Sequence, residues 1–425
     1  MVYHSFLQGH HKTAIVISLT VLCIFLLTRC VNDSEKKKEA IQDNFKKYAG
    51  PDVCANCHKD IYEKHLHTEH HLTSAPSTGK NIEGSFAPGK NVFAFDAVTN
   101  VTMEKRDSGF YQVAYQEGKE ITKARIDIVV GSGRKGQSYL HWVDNRLVQL
   151  PITFFTPANQ WSNSPGYEPN RVSFNRPITS RCLECHSTYF ETIAVTSMGL
   201  EEFNHNKIIY AVDCERCHGP AAAHVEFQTK NPEVKEAKFI VNPGKLARER
   251  LLDLCALCHG GASRKIKPSF QFQVGDTISN YLTFNPTDPN IANIDVHGNQ
   301  LGLLSRSKCF TVGNVTCINC HNTHENENGK IQVFSDRCMS CHSEGHSKSC
   351  KMTTTIGPAI TQNCIDCHMP KQQSHAVAVY LQGANVPTPA LMRTHYITIY
   401  PKETKKVLAE MKTGSMHSRI TDKNK

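Results

Sequence analysis

The chain has 425 residues, of which 39% are hydrophobic and 20% are charged. This composition is typical of globular proteins, and it excludes a disordered chain, a collagen and a protein with many membrane spans. The formal charge is +9, and the chain contains 18 cysteines and 23 histidines. These two counts are the informative ones, because proteins usually keep cysteine for its chemistry.

The N-terminal segment 1–30 is predicted to be a signal peptide or a membrane anchor. Its uncharged, mostly apolar run 13–28 is shorter than the roughly 20 residues of a membrane span. Arg29 and the lysines at 36–38 follow, and positive charge there disfavours an anchor whose C-terminal side is exported. Cys30 resembles the attachment cysteine of a lipoprotein, although Arg29 replaces the usual small residue. Lipidation at Cys30 and an uncleaved anchor both predict an exported body tethered to a membrane.

Seven pentapeptides with the pattern Cys-x-x-Cys-His use fourteen of the cysteines. Random placement would give about 0.04 such pentapeptides in the whole chain, so chance does not explain them. We number them first to seventh in chain order. Their cysteine pairs are Cys54 and Cys57, Cys182 and Cys185, Cys214 and Cys217, Cys255 and Cys258, Cys317 and Cys320, Cys338 and Cys341, and Cys364 and Cys367. The adjacent histidines are His58, His186, His218, His259, His321, His342 and His368.

This pattern predicts seven covalently attached c-type haems. Two thiols on one short turn can add to the two vinyl groups of a porphyrin, and the next residue then provides the proximal iron ligand. Zinc ribbons also use Cys-x-x-Cys pairs, but they do not require a histidine after every second cysteine. A disulfide framework is typical of small secreted domains, whereas this chain is large enough not to need one. Thioredoxin-like motifs occur singly, so they do not explain seven copies.

Each iron also has a sixth position, and the histidines outside the motifs are candidates for it. We predict one distal ligand for each haem, on the basis of the distance of these histidines from the motifs. The predicted distal ligands are His71, His224, His297, His324, His346, His375 and His395. His70 and His71 lie twelve and thirteen residues beyond His58, a distance that lets one of the two return to a haem face. Five further histidines are predicted to be structural or exposed, and they are His65, His67, His141, His205 and His417.

Two cysteines of the predicted mature body, Cys309 and Cys350, lie outside the motifs. They either pair in an oxidising compartment or remain as two buried thiols. Haem also changes the charge: without the leader the chain carries +7, and seven ferric haems with their propionates contribute about −7. The basic composition therefore does not indicate nucleic-acid binding, and no stripe of basic and aromatic residues supports it.

A β-rich module is predicted between the first and second motifs, at residues 91–170. GFYQVAY, KARIDIVV, QSYLHWV and RLVQLPITFF are strand-like, and Asp144-Asn145 is typical of a hairpin turn. The sequence GSGRKG (131–136) matches the glycine spacing of a dinucleotide-binding loop. We interpret it as a turn without nucleotide, because an extended segment follows it and no acidic residue stands about 20 residues further on.

The predicted fold class is mainly α and irregular, with a haem-organised core and this small β-rich insert. The predicted segments are a leader (1–30), a first haem segment (31–90), the β-rich module (91–170), a three-haem segment (171–265), a long loop (266–305), a C-terminal three-haem cluster (306–403) and a polar tail (404–425).

AGPDVCANCHKDIYEKHLHTEHH resembles the opening of multihaem cytochromes of the hydroxylamine-oxidoreductase-like superfamily, which includes the tetrahaem electron carriers of nitrification. CERCHGPAAAHV, HGNQLGLLSRSKCF followed by CINCHNTH, and CIDCHMP strengthen the resemblance, which covers most of residues 50–400. It implies stacked haem pairs with two histidines on most irons. By this resemblance the distal ligands are His71, His224, His297, His324 and His375.

The chain departs from the pentahaem nitrite reductases of that superfamily, because it has no Cys-x-x-Cys-Lys motif. We therefore predict a membrane-tethered heptahaem cytochrome that passes electrons between redox partner proteins, themselves membrane-associated, and binds neither nucleic acid nor nucleotide. One alternative is an oxidoreductase in which a haem with an open sixth position acts on a small nitrogen or sulfur compound. Another is a docking subunit that binds a redox partner through the β-rich module.

Overall fold

The structure is a computed structural model that describes residues 44–343 and 350–412. The predicted leader, with Cys30, lies outside the described residues, as do His346 and His417. The chain divides into two units, 1–48 and 49–425. The first is described only over its last five residues, so the features below belong to the second unit.

The helices are short, and most of them lie close to a Cys-x-x-Cys-His motif. They are α1 (Pro51–Ala55), α2 (Lys59–His65), α3 (Ser180–His186), α4 (Cys214–His218), α5 (Ala222–Lys230), α6 (Arg248–His259), α7 (Gln300–Leu304), α8 (Lys308–Val312), α9 (Ile331–His342), α10 (Thr353–Ile356), α11 (Ile365–His368) and α12 (Pro401–Lys412). Single 3₁₀ turns add to them at His71–Thr73, Thr156–Ala158, Pro243–Lys245, Ile278–Asn280, Ile291–Asn293, Cys317–Asn319 and Pro358–Gln362.

Strands contribute about as much of the described chain as helices do. They are β1 (Ser74–Pro76), β2 (Val92–Ala94), β3 (Thr99–Arg106), β4 (Gly109–Gln116), β5 (Lys119–Arg125), β6 (Ile128–Val130), β7 (Ser138–Val143), β8 (Arg146–Gln149), β9 (Ile152–Phe155), β10 (Gln160–Asn163), β11 (Arg176–Pro177), β12 (Ser187–Val195), β13 (Glu201–Tyr210), β14 (Ser263–Lys265), β15 (Leu282–Phe284), β16 (Lys371–Val379) and β17 (Thr388–Arg393). The fold is therefore mixed rather than mainly α.

Two antiparallel sheets form the β-rich module. One has the order β2-β3-β4-β5, and the other has the order β1-β6-β7-β8-β11. In β3 the buried Val101 and Met103 alternate with partly exposed neighbours, as expected for a strand with one face on a core. Apolar side chains from both sheets, with Trp161 of β10, share one buried cluster. This part of the chain thus has an apolar core made of side chains alone.

The turns of the module agree with the sequence interpretation. Asp144 has a positive φ of 53° at the tight turn that joins β7 to β8, where Val143 pairs with Arg146. The three glycines of GSGRKG also have positive φ values between β6 and β7. An extended strand follows the loop, so the helix that a dinucleotide-binding loop requires is missing at this position.

Outside the module, the sheets are two-stranded ladders: β9 with β10, β12 with β13, β14 with β15, and β16 with β17. The segment 266–305, predicted as a long loop, contains β15 and α7. Its Leu282 packs in a small apolar cluster with Leu257 of α6, and this contact orders a sequence rich in turn residues. Within 44–343 and 350–412, no helix has the length and apolar character of a membrane span.

The close packing of the apolar core in the β-rich module can be tested by a substitution at Gly84. This glycine has φ of +94°, and a Cβ there would lie 2.5 Å from Cζ2 of Trp161 and 2.7 Å from Cδ2 of Phe154. We expect Gly84→Ala to lower the free energy of unfolding by about 1–3 kcal/mol more than a matched control, since overpacking strains a core. The control is Gly89→Ala, whose φ is +79° with no atom within 4 Å of the added Cβ. Chemical denaturation followed by circular dichroism measures both, and equal losses would contradict the packing explanation.

Candidate haem sites

The seven motifs lie on short turns of the chain, most of them helical. The second and third motifs coincide with α3 and α4, the fourth and sixth end α6 and α9, and the fifth begins on the 3₁₀ turn Cys317–Asn319. Residues three apart in a helical turn lie on the same side, so each cysteine pair faces one direction. The histidine that follows extends the same surface. Local structure therefore provides the geometry that thioether attachment needs.

Several motif histidines are anchored through Nδ1. The Nδ1 of His218 lies 2.8 Å from the Val241 carbonyl oxygen, and that of His368 lies 2.9 Å from the Thr398 carbonyl oxygen. The Nδ1 of His259 lies 2.9 Å from Oε1 of Gln300. Ring nitrogens bonded to carbonyl oxygens act as donors, which leaves Nε2 as an acceptor. A metal-ligating histidine is typically oriented in this way by its second nitrogen.

Three motif histidines face a second histidine. The ring centroids are 6.3 Å apart for His259 and His70, 6.0 Å apart for His218 and His324, and 6.1 Å apart for His321 and His395. Two imidazoles that bind one metal ion from opposite sides, with metal–nitrogen bonds of about 2 Å, have centroids roughly 6 Å apart. The residues present therefore fit a haem iron held between two histidines.

The fourth motif faces His70, the neighbour of the predicted distal ligand His71. The turn between α2 and β1 directs His70 towards His259, while Nδ1 of His71 lies 3.3 Å from Oδ1 of Asp213. Nε2 of His65 lies 2.9 Å from the same carboxylate oxygen. Sequence spacing does not separate two adjacent histidines, because a small backbone rotation decides which ring points to the motif.

The other predicted distal histidines occupy different settings. Nδ1 of His224 lies 2.9 Å from the Lys238 carbonyl oxygen, the same arrangement as in the motif histidines. His297 is close enough to His186 to affect its pKa. His375 is exposed, and its backbone N–H donates to Asp295. These three assignments stay predictions, as does that of His346.

The histidines predicted to be structural or exposed differ from one another. His65 is buried on Asp213, and His141 lies 2.8 Å from Asp127. His205 stacks on Trp142 with ring centroids 3.8 Å apart, and His67 is exposed. None of these four histidines is the one that faces a motif histidine in the three ring contacts. Those contacts involve His70, His324 and His395.

Burial favours the neutral form of several histidines in the motifs and opposite them. Burial, together with nearby His259, lowers the pKa of His70 to about 4. Burial likewise lowers the pKa of His395 to about 4, with His321 adding to the shift. The pKa of His186 falls to about 4 through burial and the proximity of His297. Only a neutral imidazole has the lone pair that binds a metal ion, so these shifts favour ligation.

Motifs that are distant in sequence lie next to one another. Their thiols lie close enough to shift one another's pKa in four pairs: Cys54 and Cys214, Cys185 and Cys258, Cys255 and Cys317, and Cys338 and Cys364. Packing supports the second pair: Sγ of Cys185 lies 3.9 Å from the Leu257 carbonyl oxygen, and Sγ of Cys258 lies 3.9 Å from that of Glu184. The motifs thus form connected groups rather than seven separate sites.

Cys309 and Cys350 are both free thiols in this structure. Cys309 lies near Cys320 and Cys341, whereas Cys350 lies near Cys367. The two cysteines therefore belong to the surroundings of different motifs.

Buried carboxylates beside the motifs were not predicted from the sequence. Glu184 lies inside the second motif, Glu215 lies inside the third, and Asp213 directly precedes the third. An acidic residue inside Cys-x-x-Cys-His was the signal that could have indicated two of them.

Asp213 also holds two histidines. Burial would raise the pKa of Asp213, but the contacts with His65 and His71 outweigh it and hold the pKa below its usual value. Ligand atoms of Asp213, His65 and His71 lie within 4.8 Å of one another, a spacing that also suits a metal ion.

Residues 160–219 match the family model described as cytochrome c554 and c-prime. The matched region contains the second and third motifs. This similarity is to c-type cytochromes. Together with the seven motifs, it supports a multihaem c-type cytochrome with covalently bound haem. No curated protein matches the chain.

The chain is also similar to one solved structure, the crystal structure of the outer cell wall cytochrome OcwA. The TM-score is 0.49 and the two sequences are 15% identical. The alignment covers 85% of this chain and 81% of that one.

The ring of His324 faces that of His218, which predicts that His324 is the distal ligand at the third motif. This assignment can be tested in the haem-loaded protein. We expect His324→Ala to retain all covalent haem, because the thioethers are untouched, and to convert about one haem from low-spin to high-spin ferric iron. Electron paramagnetic resonance measures the conversion. His205→Ala is the control, since its ring stacks on Trp142 instead. An unchanged spin state in the His324 variant would contradict the assignment.

The same measurement decides between adjacent histidines at the fourth motif. We expect His70→Ala to produce a high-spin signal, because its ring faces His259 at 6.3 Å. Retention of an all-low-spin spectrum in this variant would show that another residue occupies that sixth position.

Proposed function

We propose that this chain is an exported heptahaem c-type cytochrome that carries electrons between redox partners. The observation that carries the proposal is the clustering of separate motifs, with three of their histidines facing a second histidine at 6.0–6.3 Å. Disulfide or zinc chemistry gives no reason for two histidine rings to lie opposite each other at this distance. A haem iron with two axial imidazoles requires that arrangement.

The chain's own residues would hold each cofactor in the same way. The two cysteines of a motif would form the thioethers, and the adjacent histidine would be the proximal ligand. We propose His70, His324 and His395 as distal ligands. We retain four more from the sequence, and they are His224, His297, His346 and His375. When bound, haem supplies one-electron chemistry between the ferric and ferrous states.

The contacts between motifs support a continuous path. The first motif contacts the third, and the second contacts the fourth, which in turn contacts the fifth. The sixth contacts the seventh. Cys255 is close to Cys217, and Cys338 is close to Cys320, so these groups are also connected to each other. Electrons could then cross the protein without movement of the backbone.

Production in a host that matures c-type cytochromes tests the proposal. We expect a mass increase equal to seven haems, a low-spin ferric spectrum, and rapid reduction and reoxidation by small redox partners in stopped flow. A chain without haem, or one that carries zinc, would contradict it. A new absorption band on addition of nitrite or hydroxylamine would favour the oxidoreductase alternative, because only an open sixth position binds such compounds.

The predicted tether concerns residues outside the described chain and has its own test. We expect Cys30→Ala to move the protein from the membrane fraction to the soluble exported fraction, because a lipoprotein loses its lipid attachment site. Retention in the membrane fraction would favour the uncleaved anchor.

A further inference from the structure

The buried and partly buried charges around the first four motifs are distributed unevenly. Asp213 and Glu215 are both buried beside the contact between the first and third motifs. Arg181 and Arg216 lie where the second, third and fourth motifs meet. A fixed buried charge is poorly screened, so it changes the relative stability of ferric and ferrous haem nearby.

Glu215 brings a buried negative charge to the first motif. Its two carboxylate oxygens accept backbone N–H groups of Ala49 and Gly50, each at 2.9 Å, and one also accepts that of Ala221 at 2.7 Å. The Gly50 carbonyl in turn lies 3.6 Å from Sγ of Cys54. These partners of Glu215 are neutral backbone groups, so they hold the carboxylate in place without cancelling its charge.

Asp213 adds a second carboxylate to the same side. Its partners are the rings of His65 and His71, at 2.9 Å and 3.3 Å. The negative charge that is left beside the first motif is therefore that of Glu215, whose partners are uncharged backbone groups.

The second and fourth motifs have the opposite balance. Nη1 of Arg181 lies 3.1 Å from Sγ of Cys185, and its Nη2 donates to the Leu257 carbonyl at 2.7 Å. Nη2 of Arg216 donates to the Glu184 carbonyl at 2.8 Å. The Glu184 carboxylate pairs with both guanidinium groups, at 3.1 Å and 3.6 Å, so these three residues together carry a net charge of about +1.

The third motif lies between these two environments, because it contains both Glu215 and Arg216. The Glu215 side chain points to the first motif, while the Arg216 side chain points to the second and fourth. Charge therefore changes sign along the contacts from the first motif through the third to the second and fourth.

We infer that Asp213 and Glu215 lower, and Arg181 and Arg216 raise, the reduction potential of the haem held beside them, so that electrons pass from the first motif through the third towards the second and fourth. Negative charge stabilises the ferric state and positive charge stabilises the ferrous state. Each step oxidises one ferrous centre and reduces one ferric centre, so the transferred electron is balanced. This inference rests on the proposed function and adds a direction to it.

Potentiometric titration of the full haem-loaded chain tests the inference. We expect Glu215→Gln to shift the low-potential end of the titration upwards, and Arg181→Gln to shift the high-potential end downwards. Arg181→Lys keeps the charge and Glu226→Gln removes one from an exposed pair with Lys230, so both controls should leave the two ends in place. Shifts of the opposite sign, or no shift, in either test variant would overturn the inference.

Haem content separates a structural defect from an electrostatic effect. Each variant is compared with the wild type for covalent haem before titration. If Glu215→Gln or Arg181→Gln loses haem, Asp213→Asn and Glu184→Gln replace them, with expected upward shifts at the low-potential and high-potential ends respectively. A wild-type chain without haem would give no redox transition at all, and that result would refute the proposed function instead of the charge effect.

Discussion

The anchoring of imidazole rings through Nδ1 is the constraint on which the candidate sites depend. A histidine on a short turn can rotate freely unless its second nitrogen is held, and rotation would remove Nε2 from the direction of the metal. The Val241 and Thr398 carbonyls and the Gln300 side chain hold three motif histidines in this way. These anchors come from segments 23 to 41 residues further along the chain, so each motif depends on the fold around it.

Two kinds of core coexist in the described chain. The β-rich module packs apolar side chains from two sheets around Trp161, in the ordinary manner of a small globular domain. The motif regions have smaller apolar clusters and short helices, several with few or no buried residues. Buried carboxylates and arginines connect these helices instead, and Glu215 alone joins three backbone N–H groups. Polar contacts therefore align segments that apolar packing would otherwise have to hold.

The sequence was sufficient to predict those features that interactions between neighbouring residues determine. Cys-x-x-Cys-His spacing, the strand-like run GFYQVAY in β4 and the Asp144-Asn145 turn depend on neighbouring residues, and each was predicted from the sequence. The amount of strand was underestimated, because β12, β13, β16 and β17 lie among the haem motifs, where helices were expected. The choice between His70 and His71 depends on the turn after α2. The role of Glu215 depends on a contact across 165 residues, for which the sequence contains no periodic signal.

The facing of His70 and His259 has a consequence for biogenesis. Thioether formation at the fourth motif requires only the local pentapeptide, but its facing imidazole comes from a segment 189 residues closer to the N-terminus. Under the proposed function, covalent loading would therefore precede folding, whereas coordination of that iron by His70 would wait until the N-terminal segment has docked. The colour change that accompanies the arrival of a sixth ligand would then report tertiary assembly, separately from cofactor insertion.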